Sequence, residues 1–157
     1  MDDAGAKLEA RAQSIYHPVR GKDASQLTLA PFTQNSGHPR FGAYIFLHAQ
    51  AQLGAPYIGK VLLLSPIVGE FENQDTQMNF IPPRANVLME LGQSGSYPTP
   101  KQCEIHTGSE DWQSNPDNVT KFGALVGINV TVVPDGGHNL PHSYVGAVLD
   151  NWLSDIT

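Results

Sequence analysis

Between Phe41 and Leu53, and again from Lys60 to the C-terminus, short apolar runs alternate with segments of helical length, and this alternation constrains the fold more than any other feature of the sequence. Lys60 to Leu64 is a continuous apolar run closed by Ser65-Pro66, the pattern of a strand covered on both faces in a parallel sheet. Phe41 to Leu53, ahead of it, is long and apolar enough for a buried helix stopped by Gly54 and Pro56. After it, Arg84 to Gln93 places Val87, Leu88 and Leu91 on one helical face, and Gln102 to Thr107 reads as a strand. Asn115 offers an N-cap with Pro116 at the first helical position, predicting a helix through Val126, then a strand over Asn129 to Val133 and a last helix from about Ser143 to Leu153. Strands alternating with helices predict one α/β domain with a mainly parallel sheet and flanking helices, spanning residues 1–157. Toward the N-terminus, residues 3–15 predict a thin amphipathic helix, and the alternation of Leu27, Leu29 and Pro31 with Thr28 and Ala30 predicts a short strand.

Charge and cysteine content exclude several classes of function. Nine basic against fifteen acidic residues leave a formal charge of -6, which does not suit a surface that neutralises phosphate backbones, so no nucleic-acid partner is expected. A single cysteine, Cys103, forms no intrachain disulfide and anchors no cysteine-rich zinc site. Asp2, Asp3 and Glu9 stand where a signal peptide needs a basic start and an apolar core, and no apolar run approaches the roughly 20 residues that span a bilayer. The expectation is a cytoplasmic protein with no membrane partner. Phosphate cradles of the G-x-x-x-x-G-K-[ST] or G-x-G-x-x-G type do not occur, and no cofactor is expected.

Ligands of open parallel sheets bind at the carboxyl ends of the strands, so chemistry is sought in the turns that follow them. Gly108-Ser109-Glu110-Asp111-Trp112 follows one predicted strand, and Pro134-Asp135-Gly136-Gly137-His138 follows another. The paired glycines allow a sharp turn that presents His138 at the strand end. A histidine there can accept the proton of a hydroxyl and return it to a leaving group, and a carboxylate on its other nitrogen fixes the tautomer. Taken singly, Asp111 also reads as a turn cap and His138 as a residue of a glycine-rich bend.

An apolar strand, Gly-x-x-Asp, a helix, a strand, a Gly-His turn and an amphipathic C-terminal helix together resemble the last third of an α/β-hydrolase, and Ser65-Pro66 resembles the end of that family's sixth strand. The resemblance covers roughly residues 37–157 and implies Asp111 as the acid and His138 as the base of a serine esterase or lipase acting on small acyl esters. It also implies a G-x-S-x-G nucleophile elbow ahead of them. The best alignment is Gly37-His38-Pro39-Arg40-Phe41-Gly42-Ala43, which places the nucleophile position on Pro39, a residue without a hydroxyl and with φ fixed near -65°. Ser36 is the nearest hydroxyl and the candidate nucleophile of an altered site, with His38 and Trp112 as candidate substrate-lining residues. Residues 1–36 are too few to supply the family's first strands and the loop that gives half of its oxyanion hole, so a truncated sheet is expected. Its open edge predicts a homo-oligomer.

Two other classes of function also fit these residues. A hydrolase-like frame without a nucleophile would be a catalytically inactive ligand-binding or oligomeric structural protein, with a pocket lined by Trp112, His138 and Phe80. A metal reading uses Asp135, His138 and His142, although Pro141 disfavours a shared helical face for the two histidines.

Overall fold

The structure is a computed structural model that describes residues 41–73, 75, 77–80 and 86–154. The predicted helix over residues 3–15, the strand over 27–31, and both Ser36 and His38 lie outside the described residues. Element order is α1 (Phe41–Gln52), β1 (Lys60–Leu64), β2 (Phe71–Asn73), β3 (Met78–Phe80), α2 (Val87–Gln93), β4 (Gln102–Gly108), α3 (Pro116–Val126), β5 (Asn129–Val133) and α4 (His142–Ser154).

Three parallel strands form the main sheet in the order β1-β4-β5, with Leu63 paired to Ile105 and Ile105 to Val130. The expectation of a parallel sheet with flanking helices therefore holds for the described residues. An antiparallel pair, β2-β3, departs from it as a separate two-stranded sheet with Phe71 opposite Phe80. Strands of three residues are too short to show a periodicity of two in the sequence.

One face of the sheet carries the core because side chains alternate across a strand. Val61, Leu63 and Ile105 point to this face and pack with Leu47 of α1, Leu88 of α2, and Val119 and Phe122 of α3, all at most 4% exposed. Tyr97 meets Phe122 edge to face at 5.2 Å and sends its hydroxyl to the Leu47 carbonyl at 3.2 Å, tying α1 to α3. The inferred cap of α3 is present: the Asn115 side chain accepts from the N–H groups of Asp117 and Asn118, with Pro116 opening the helix. Gly123 of α3 admits no larger residue, since a Cβ there would lie 2.4 Å from Val130 Cγ2. Helix and strand thereby approach closely.

Glu104 and His106 alternate to the opposite face, which α4 covers. His106 Nδ1 lies 2.7 Å from the Tyr144 hydroxyl, and the Lys60 ammonium sits 5.4 Å from the centre of the Trp152 ring. No residue of α4 is fully buried. This helix is a cover held at two aromatic points, while α1, α2 and α3 share the core. No helix among the described residues is long and apolar enough to cross a membrane.

Candidate active site at the carboxyl edge of the sheet

The turns after β4 and β5 are fused by backbone contacts. A Cβ at Gly108 would stand 2.0 Å from the Gly136 carbonyl oxygen and 2.5 Å from that of Gly137, so only glycine permits the two chains to touch there. Three hydrogen bonds cross between the turns and a fourth closes the second turn on itself. Ser109 N–H donates to the Val133 carbonyl at 2.9 Å and Glu110 N–H to the Gly136 carbonyl at 2.8 Å, while Asp135 N–H donates to Ser109 Oγ at 2.9 Å and Gly136 N–H to the Val133 carbonyl at 3.2 Å. The second turn needs a residue in the left-handed region, and Asp135 supplies it with φ 55°, a conformation aspartate tolerates better than most.

This fusion brings Asp111 and His138 together. His138 Nδ1 lies 2.8 Å from both carboxylate oxygens, and the two side chains are 5% and 0% exposed. Oδ1 also accepts the N–H groups of Gln113 at 3.0 Å and Ser114 at 2.8 Å. Burial pushes the Asp111 carboxyl up, but the His138 hydrogen bond, the two backbone donors and the charge of the imidazole together hold it below the ordinary carboxylate range. An ionised Asp111 requires a proton on Nδ1, so in the neutral form of the ring Nε2 is the acceptor. Nε2 is itself buried and has no hydrogen-bond partner among the described residues. A buried imidazole nitrogen with an unused lone pair, aligned by a carboxylate on its far side, is the geometry of a general base.

No family model, curated protein or solved structure matches the chain.

Of the other residues expected at the site, Trp112 is half-buried directly after Asp111, whereas Ser36, His38 and the side chain of Phe80 lie outside the described residues. Asp135, His138 and His142 do not converge as a metal site: among the described residues no group of three or more His, Cys, Asp or Glu side chains is arranged to hold an ion. His142 opens α4 beyond Pro141, on a different element from the turn after β5 that carries Asp135 and His138.

Three further residues at this edge are not among the expected site residues. Ser65, just past β1, is a buried non-glycine residue with φ 46°. Its N–H donates to the His106 carbonyl at 2.8 Å, and its hydroxyl has no partner among the described residues. Thr107 and Ser114, both 0% exposed, meet beneath the Asp111 turn, where the Thr107 hydroxyl donates to the Ser114 carbonyl at 2.9 Å. For Ser65 the sequence signal is a serine closing an apolar strand ahead of proline. The pairing of Thr107 with Ser114 is tertiary and leaves none.

Proposed function

We propose that this chain is an α/β-hydrolase-like protein that cleaves small acyl esters, with Asp111 and His138 as its acid–base pair. The observation that carries this reading is the His138 imidazole, bonded at Nδ1 to both oxygens of a buried carboxylate while Nε2 is buried without a partner among the described residues. In the proposed reaction His138 Nε2 takes the proton of a serine hydroxyl as its oxygen attacks the ester carbonyl carbon. The tetrahedral intermediate then collapses, the imidazolium gives that proton to the departing alcohol, and water hydrolyses the acyl-enzyme by the same exchange. Ser36 is the proposed nucleophile, and His38 and Trp112 are proposed to line the acyl substrate. Among the described residues β5 pairs with β4 alone, and its other edge is where a second copy of the chain would add.

Pro39 at the elbow position favours a second reading, in which the dyad survives in a protein that binds a small ligand without turning it over. A serine-directed fluorophosphonate separates the two. An esterase incorporates one equivalent, the label disappears in His138→Ala, and its loss in Ser36→Ala assigns the nucleophile. A binding protein remains unlabelled at every concentration.

A further inference from the structure

We propose that Ser114 is the positioning residue of the Asp111–His138 pair, bracing the turn that carries the acid against the exit of β1; this rests on the reading of that pair as hydrolytic machinery. Every polar group of Ser114 is committed. Its N–H donates to Asp111 Oδ1 at 2.8 Å, its hydroxyl donates to the Pro66 carbonyl at 2.6 Å, and its carbonyl accepts from Thr107 Oγ1 at 2.9 Å. A hydroxyl owns one hydrogen, so with both protons placed in these bonds the 3.1 Å contact between the Ser114 and Thr107 oxygens is a packing contact. A continuous line therefore runs from Pro66 through Ser114 and Asp111 to His138.

The ends of that line explain its role. Pro66 lies immediately beyond β1, and its carbonyl is buried where no water competes for it. The bonds from Gln113 and Ser114 to Asp111 are local, spanning two and three residues, and fix only the shape of the turn. The Ser114 hydroxyl spans 48 residues and fixes where the turn stands relative to the neighbouring strand exit. Thr107, at the end of β4, holds the same serine from below, so the turn is held between two strands. The position of a carboxylate that must align an imidazole to a fraction of an ångström is in this way set by a side chain that touches neither the imidazole nor a substrate.

The test uses the full chain, nitrogen NMR of the His138 imidazole and the fluorophosphonate probe together. Wild type is expected to show a single tautomer with the proton on Nδ1. Ser114→Ala keeps the backbone donor to Asp111 yet loses the brace, and is expected to populate the second tautomer and to label about 10- to 100-fold more slowly. Thr107→Val removes the other hold on Ser114 and is expected to move both readouts the same way, so it carries the test should the alanine variant not fold. A folded Ser114→Ala that keeps the single tautomer and labels at the wild-type rate overturns the positioning role and leaves the esterase reading intact. A tautomer change in Ser114→Ala, in a protein that the probe never labels, supports the positioning role and overturns the esterase reading.

Discussion

His138 Nδ1 stands 2.8 Å from both oxygens of Asp111, whose carboxylate is in turn held by two backbone N–H groups. The carboxylate cannot rotate away without abandoning those donors, so it dictates which imidazole nitrogen carries the proton. Asparagine at this position can offer its NH₂ to Nδ1 and stabilise the opposite tautomer. Asp111→Asn is expected to slow fluorophosphonate labelling by about 10⁴-fold, the order of loss known for this exchange in a serine protease triad. A time course of intact mass measures it, and an unchanged rate would remove Asp111 from the chemistry.

The same carboxylate makes stability depend on pH in one direction. The His138 hydrogen bond and the two backbone donors outweigh burial and hold the Asp111 carboxyl below its ordinary range, so folding favours the ionised form. That contribution is fully present above the unfolded pKa of about 4 and is lost as pH falls through the lower folded value. Urea midpoints of wild type are therefore expected to fall more steeply below about pH 4 than those of Asp111→Asn. Parallel curves would mean that the carboxylate gains nothing from its partners.

Gly108→Ala is expected to be severe. The added methyl carbon would stand 2.0 Å from the Gly136 carbonyl oxygen and 2.3 Å from its carbon, and neither is a flexible side-chain end that can move aside. Relief requires the turns after β4 and β5 to separate, at a cost on the order of 3 kcal/mol. Thermal unfolding gives the loss, and the Asp111–His138 hydrogen bond is expected to disappear from the imidazole NMR spectrum of any folded remainder.

Ser65→Gly points the other way. A non-glycine residue at φ 46° carries roughly 1–2 kcal/mol of strain. Its buried hydroxyl, without a partner among the described residues, adds an unfavourable desolvation, also on the order of 1 kcal/mol. Glycine removes both and gives back part through the greater freedom of the unfolded chain. A net gain of about 1 kcal/mol in urea-induced unfolding is expected, and a loss would show that the hydroxyl is held by a group that the variant leaves unpaired.

The parallel core and the helix cap are legible in the sequence because each is written in neighbouring residues. Val61 to Leu64 is apolar without interruption, and Asn115-Pro116 states a helix start in two letters. Asp111 and His138 are legible as residues that follow strands, and their meeting needs only that the two strands be adjacent, as β4 and β5 are. What stays hidden depends on separation along the chain. Gly108 reads as an ordinary turn glycine until Gly136, 28 positions later, arrives against it. Ser114 reads as one more polar loop residue, because its hydroxyl is satisfied by Pro66, 48 positions earlier. The β2-β3 pair is hidden for a different reason, being too short for any period to register.

The backbone contact at Gly108 also has a dynamic consequence. The amides of Ser109, Glu110, Asp135 and Gly136 all bond within or across the junction of the two turns, so opening one turn frees donors or acceptors of the other. Residues 108–111 and 133–138 are thus coupled as a single opening unit, whose amide protons should exchange with deuterium at a common rate although 27 residues separate the acid from the base.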